Sequence, residues 1–205
     1  MKEKYEVLRI QTMNTALIWK DIHGIATEAT AQKLDIAMLD WMSSLTDALQ
    51  IWIDKGYCMT EGELILARTN LGALVESWLK LFYCVFYEDY LRNPHTDRKG
   101  VMVEPETMSF ETLKSFSVGK LWDDRQDAEY LWVDKVQRYR NAIHSFKWRE
   151  IGTPAEFIDD ISTFCVFVDN ITNHFPPIED YIDIFPAGYI PNPLHYVQTK
   201  NDLRF

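Results

Sequence analysis

The sequence predicts an all-α fold, a bundle of helices in a single domain spanning residues 1–205. Apolar residues recur every three or four positions in several long segments, and two of these segments open with a Thr-x-x-Glu capping box. No segment has an apolar–polar alternation strong enough to build a sheet. With 47% hydrophobic residues, the chain is long enough to bury one sizeable core.

The first two helices are predicted at about 5–24 and 31–55. The apolar spacing of the first is weak, whereas the second carries a long amphipathic stripe and stops before Gly56, a residue type that commonly ends helices. The stripe consists of Leu34, Met38, Trp41, Met42, Leu45, Leu49, Trp52 and Ile53. We therefore expect residues 31–55 to form one continuous helix that packs against its neighbours.

A long apolar helix is predicted to start at the capping box of Thr60 and Glu63 and to run to about residue 91, where Asn93 and Pro94 follow. Apolar residues cover more than one face of this segment. Such a helix is expected at the centre of a bundle or in an interface.

Three more helices are predicted, at about 109–114, at 124–146, and from the capping box of Thr153 and Glu156 to about residue 174. The motif-bearing core is expected at about 60–177. Residues 178–205 are rich in proline and aromatic side chains, so we expect an extended tail that lies over the surface or over a partner.

The charge distribution is uneven. The chain carries a net charge of −10, which argues against a broad nucleic-acid footprint. Between Lys135 and Arg149, however, there are five basic residues and no acidic one, while the rest of the chain carries −15. A small cationic segment therefore sits on an anionic body.

Several other functions are disfavoured by the residues present. The histidines lack metal-ligand spacing, there is no phosphate-binding glycine loop, and no serine lies in a nucleophile-elbow pattern, so we expect no metal and no cofactor. The three cysteines are widely separated, which indicates reduced thiols and a cytoplasmic location. The longest apolar run, 81–87, is too short for a membrane span.

The candidate site lies near the end of the 124–146 helix. A seam facing the core is predicted from the spacing of Trp132, Val136, Tyr139, Ile143 and Phe146. On one flank of this seam, the side chains of Arg140 and His144 are expected to be neighbours because they are four residues apart, with Asn141 beside them. Arg138 falls on the other flank.

This pattern resembles the HEPN superfamily of helical-bundle proteins. Its hallmark is an arginine, often followed by asparagine, with a histidine a few residues later near a helix end; here Arg140, Asn141 and His144 match. Four to six residues usually separate the arginine from the histidine in that family. Arg140 leaves three and Arg138 leaves five, so either arginine is a candidate for the motif position.

The resemblance implies a metal-independent endoribonuclease whose site is shared across a homodimer, of the toxin or antiviral-defence type, with RNA as substrate and an antitoxin or another protein as a possible partner. In this interpretation Arg140, Asn141 and His144 are catalytic. Four basic residues would bind RNA phosphates: Lys135, Arg138, Lys147 and Arg149.

Other interpretations remain open. Acidic residues open this helix and basic residues close it, an arrangement that complements the helix dipole without any RNA. His144 could cap carbonyls at the helix end, and Arg140 could pair with a carboxylate of another helix. The alternative functions are a non-catalytic HEPN-like module that binds RNA, a nucleotide or a protein, and a helical oligomerisation scaffold.

Overall fold

A computed structural model describes residues 1–144, 146 and 148–202 of the chain. For residues 179, 201 and 202 it describes the backbone but not the side chains. The described residues form α-helices and short 3-10 helices, and this part of the chain contains no β-strand. The all-α prediction is thereby confirmed. The α-helices are α1 (Lys2–Trp19), α2 (Glu28–Asp35), α3 (Leu39–Lys55), α4 (Glu61–Val85), α5 (Tyr87–Arg92), α6 (Phe110–Phe116), α7 (Ala128–Arg140), α8 (Pro154–Thr172) and α9 (Pro193–Asp202).

Helix α4 forms the centre of the bundle. It packs against α2, α3, α6, α7 and α8, so it is surrounded on several sides. Its buried side chains include Leu71, Leu74, Val75 and Trp78, all without exposed surface. A helix that is apolar around most of its circumference is stable only when neighbours cover it, which explains the central position predicted for this segment.

Both predicted capping boxes are present. The hydroxyl of Thr60 accepts a hydrogen bond from the N–H of Glu63, and the Glu63 carboxylate accepts one from the N–H of Thr60 at 2.9 Å. Thr153 and Glu156 make the same reciprocal pair at the start of α8. These starts follow from residues three positions apart, and the local sequence was sufficient to predict them.

The segment predicted as one helix at 31–55 is instead two helices, and that prediction was wrong. Helix α2 ends at Asp35 and α3 starts at Leu39, so the chain turns between them. As a result, α2 packs on α4 and α5, whereas α3 packs on α1 and α4. The apolar stripe is divided as well: Met42 and Leu49 are buried, but Met38 and Trp41 are exposed.

The C-terminal tail is only partly irregular. Residues 178–181 form a 3-10 turn, and α9 packs against α1, so the expectation of an extended tail from 178 onward is corrected. Between these elements, the side chain of Asn14 on α1 binds the backbone of Ile190 twice, donating to its carbonyl at 2.8 Å and accepting from its N–H at 3.0 Å. The irregular stretch is thus bonded to the bundle at Ile190, and its Ile182 and Tyr189 side chains pack against the core.

None of the described helices combines the length and the apolar composition that crossing a lipid bilayer would require.

Candidate functional site at the end of helix α7

Helix α7 is shorter than the sequence predicts. It starts at Ala128, where the carboxylate of Asp127 accepts a hydrogen bond from the N–H of Glu129 at 2.8 Å, and it ends at Arg140. The chain then tightens into a 3-10 turn, Asn141–His144. The candidate site therefore lies at a junction between two kinds of helix.

The tighter turn changes which side chains reach the core. A 3-10 helix advances about 120° per residue instead of about 100°, so an α-helical seam cannot continue through it. Trp132 and Tyr139 are buried as predicted, but Ile143 is 40% exposed and Phe146 is fully exposed. The prediction that Ile143 and Phe146 belong to the core was wrong, and both form part of the surface around the site.

The guanidinium of Arg140 is held by a neighbouring helix. Its Nη2 lies 2.8 Å from Oε2 of Glu76 on α4, and its central carbon lies 5.9 Å from the ring centroid of Phe110. Glu76 also pairs with Lys80 at 3.0 Å, so one carboxylate is shared by two cations and the trio keeps a net positive charge. The Arg140 side chain remains 28% exposed, which leaves it accessible to an anion.

A close helix contact determines where Arg140 sits. Gly72 on α4 faces the stem of this arginine, and a Cβ added at Gly72 would lie 2.5 Å from both Cβ and Cγ of Arg140. Only a residue without a side chain fits such an approach. The backbone of α4 therefore directly supports the aliphatic part of Arg140 below its charged end.

Asn141 and His144 occupy the two ends of the 3-10 turn. Residues three apart in such a turn are eclipsed, so these two side chains leave the turn on the same side. His144 is exposed and Asn141 is half-buried. The structure thus brings Arg140, Asn141 and His144 to one end of α7. The 3-10 turn, however, places the side chain of His144 on the same side as that of Asn141, whereas α-helical spacing predicted that it would lie beside Arg140.

The four predicted phosphate ligands are dispersed. Lys135 binds Asp160 of α8, and the exposed Arg138 pairs with Asp134 at 3.1 Å. Arg149 is exposed and lies beyond the 3-10 turn, while Lys147 lies outside the described residues. Of the three described residues, only Arg149 lines the groove that follows the turn.

This groove has a volume of about 780 Å³ and runs between the start of α4, the segment after His144, and the start of α8. Phe146 and Trp148 line it, and the Trp148 side chain is 88% exposed. Large aromatic rings at this exposure are costly in water unless a partner or ligand covers them. The groove beside His144 is therefore partly apolar, and its charged lining consists of Arg149 and three glutamates, Glu61, Glu150 and Glu156.

A buried ionic cluster supports the groove from below. Arg68 of α4 forms an ion pair with Asp160 of α8, and both side chains are almost completely buried. Asp160 also accepts a hydrogen bond from Trp132 at 2.9 Å. The sequence interpretation did not include this cluster, although charged residues within the apolar segments that became α4 and α8 were a signal for it.

The same arginine fixes the loop before α8. Its Nε donates to the carbonyl of Ile151 at 3.0 Å, and its guanidinium lies over the ring of Tyr139 at 4.7 Å. Burial raises the pKa of Tyr139, so its hydroxyl stays protonated at neutral pH. At the start of α8, hydrogen bonds from Thr153 hold the pKa of Glu156 below its usual range and keep this groove-lining carboxylate ionised.

Within the described part of the chain, no three His, Cys, Asp or Glu side chains are grouped closely enough to hold a metal ion. Comparisons with protein-family models, with curated proteins and with solved structures found no match to this chain. Functional inference therefore depends on the geometry of the site.

Proposed function

We propose that this protein is a metal-independent endoribonuclease whose active site is completed by a second copy of the chain. One observation carries the proposal: a partly exposed arginine, held in place by Glu76, shares the end of α7 with an exposed histidine on a rim of aromatic residues. The motif resemblance to HEPN proteins supports the same reaction.

Arg140 is the proposed phosphate ligand. Its fixed guanidinium offers a planar set of donors that matches two phosphate oxygens. Glu76 removes part of its charge, but Lys80 on the same carboxylate restores a net positive charge to the trio. As negative charge develops on the phosphorane, donors that are already in position stabilise it without reorganisation.

His144 is the proposed general base. Imidazole takes up and releases protons near neutral pH. In this mechanism, neutral His144 removes the proton of a ribose 2′-hydroxyl, and the resulting oxygen attacks the adjacent phosphorus. The bond to the 5′-oxygen breaks, and that oxygen takes a proton from the imidazolium of His144 of the second copy. The products are a 2′,3′-cyclic phosphate and a 5′-hydroxyl.

The apolar surface beside the site supports a homodimer. Ile143, Phe146 and Trp148 are exposed next to His144, and burying such side chains between two copies would bring two Arg140–His144 sets to one cleft. A shared cleft also supplies the acid for the leaving group, which one copy would lack while its own histidine acts as base.

Digestion of a fluorogenic single-stranded RNA in the presence of excess EDTA tests the proposal. The wild-type protein is expected to release a 2′,3′-cyclic phosphate product, and His144→Ala is expected to lower the rate by about 10²–10⁴-fold with an unchanged helical circular-dichroism spectrum. The matched control is His195→Ala, an exposed histidine on α9. Equal rates for the wild-type protein and His144→Ala would refute the assignment.

A second candidate is non-catalytic binding of single-stranded RNA. Its support comes from Phe146 and Trp148, whose exposed rings resemble a base-stacking platform in a groove that Arg149 also lines. Saturable RNA binding with no cleavage, lost in the double variant Phe146→Ala/Trp148→Ala, would favour this function over the ribonuclease.

A further inference from the structure

A second cleft lies at the other end of α4, away from Arg140. Its volume is about 400 Å³, within the range of small-molecule sites. The walls are almost entirely aromatic and come from α4, α5 and α6. They are formed by Phe82, Tyr83, Phe86, Tyr90 and Phe116. None of these residues has a role in the proposed ribonuclease site.

The tyrosines present their rings to the cleft while their hydroxyl groups bind elsewhere. Tyr83 hydrogen-bonds to the hydroxyl of Ser117 at 2.8 Å, and Tyr90 donates to the carbonyl of Val103. The rings also pack against one another, with centroids of Phe82 and Tyr83 5.2 Å apart. The walls are therefore preorganised ring surfaces, which suit a flat apolar ligand.

One cation stands at the mouth of this cleft. The ammonium of Lys120 lies 3.6 Å from the ring centroid of Phe116 and donates to the carbonyl of Phe116 at 2.8 Å. Within the described part of the chain it forms no ion pair with a carboxylate, and burial lowers its pKa. Asp89 also lines the cleft, but Arg92 pairs with it at 2.7 Å. Among the described residues, Lys120 is thus a positive charge on an apolar surface that no carboxylate pairs with.

His174 completes the rim. Its Nδ1 lies 2.7 Å from the carbonyl oxygen of Asn170, and because a carbonyl only accepts, Nδ1 must carry the hydrogen. In the neutral ring Nε2 is then an acceptor. The ring edge packs on Phe82, with centroids 6.1 Å apart, so His174 adds a further aromatic wall together with one polar atom.

We propose that this cleft binds a small planar aromatic acid, with its ring against the Phe82, Phe86 and Phe116 side chains and its carboxylate on the ammonium of Lys120. The ring surfaces would pack against the flat apolar part of the ligand, and the ammonium of Lys120 would bind its negatively charged carboxylate. This site is independent of the proposed ribonuclease activity.

Isothermal titration with 2-naphthoate and its uncharged analogue 2-naphthamide tests the proposal. The wild-type protein is expected to bind the acid at least about tenfold more tightly than the amide, because a charge-assisted hydrogen bond forms only with the carboxylate. Lys120→Gln is expected to remove that preference. Lys99→Gln, which removes one exposed lysine that does not line the cleft, is expected to leave both affinities within about twofold.

Reversing the charge at position 120 provides a second, independent test of the proposed site. Lys120→Glu is expected to reject 2-naphthoate and to bind the cation 2-naphthylmethylammonium instead, with an unchanged melting temperature. The proposal is overturned if the wild-type protein does not bind 2-naphthoate at millimolar concentration or if Lys120→Gln keeps the preference for the acid. It is also overturned if Lys120→Glu does not prefer 2-naphthylmethylammonium to 2-naphthoate.

Discussion

Asp160 and Glu76 each bind two cationic side chains, but the surroundings of the two carboxylates differ. Asp160 binds Arg68 and Lys135 between α4, α7 and α8, where Asp160 and Arg68 are almost fully buried. Glu76 binds Arg140 and Lys80 on the outer side of α4, where both cations are more than one-quarter exposed. Helix α7 contributes one cation to each cluster, five residues apart.

Burial gives the two clusters different roles, one in stability and one in a candidate site. In the Asp160 cluster, the Arg68–Asp160 pair is shielded from water and only Lys135 reaches solvent, so removing Asp160 leaves the buried charge of Arg68 uncompensated. In the Glu76 cluster, water reaches Arg140, so its contribution to stability is small and its donors can exchange water for phosphate. Similar ionic groups thus support the fold in one place and a candidate site in the other.

The largest expected effect is on stability at the buried cluster. Asp160→Ala should lower the free energy of unfolding by about 3–5 kcal/mol, because Arg68 and Lys135 would lose their shared counter-ion. Glu76→Ala should cost only about 1 kcal/mol, since its cations are solvated. Urea denaturation followed by circular dichroism measures both values.

Asp159→Ala is the matched control, because Asp159 is the exposed neighbour of Asp160 on α8 and should change stability by less than about 0.5 kcal/mol. Equal losses for Asp160→Ala and Glu76→Ala would remove the distinction between the two clusters.

The next effect is on catalysis and separates the two arginines of α7. Arg140→Lys keeps the charge but loses the planar set of donors, so the rate of RNA cleavage should fall by about 10²-fold. Arg138→Lys should change it by less than about threefold, because Arg138 is exposed and already paired with Asp134. Single-turnover cleavage rates measure the difference. The reverse order would assign the motif position to Arg138, as the five-residue spacing suggests.

A smaller effect concerns the exposed aromatic residues Phe146 and Trp148 beside His144. Trp148→Ala should raise the dissociation constant of the proposed homodimer by about 30-fold, because tryptophan at the centre of an interface commonly contributes about 2 kcal/mol. Sedimentation velocity over a concentration series measures this. Trp41→Ala is the control, since Trp41 is also highly exposed but lies on α3. Dissociation by Trp41→Ala alone would move the interface to α3.

The smallest effect is a surface ion pair that depends on pH. His23 lies 2.9 Å from Asp35 and 3.5 Å from Glu28, and the hydrogen bond to Asp35 raises its pKa above the ordinary 6.5. Because the pKa of His23 is higher in the folded state, protonated His23 stabilises the folded protein. This contribution is fully present below pH 6.5 and is lost as pH rises through the folded-state pKa of His23. His23→Gln should therefore lower the melting temperature at pH 5.5 and leave it unchanged at pH 8.5. A deficit of equal size at both pH values would contradict this interpretation.

The local parts of the fold could be predicted from sequence because their causes are local. The capping boxes of α4 and α8 each depend on two residues three positions apart. The end of α7 could not be predicted in the same way, since Asn141–His144 contains no proline or glycine that would forbid a further α-helical turn. The 3-10 turn exposes Ile143 and Phe146, and the seam prediction failed at these residues.

The sequence predicted which residues form the candidate site but not which side chains surround them. Arg140, Asn141 and His144 could be named from their spacing, but the partners that determine their surroundings are distant in sequence. Glu76 lies 64 residues before Arg140, and Asp160 lies 25 residues after Lys135. Such pairings arise from helix packing, and the sequence contains no short-range pattern that indicates them.

The glycine beneath Arg140 implies that this site can be adjusted without altering any ionisable group. Replacing Gly72 by alanine and then by larger uncharged residues would push helix α7 away from α4 by increasing amounts, because the new Cβ would lie 2.5 Å from Cβ of Arg140, an atom bonded directly to the α7 backbone. The formal charge of the protein would stay constant through such a series. Side-chain size at position 72 thus acts as a steric control on the spacing between α4 and α7 at Arg140.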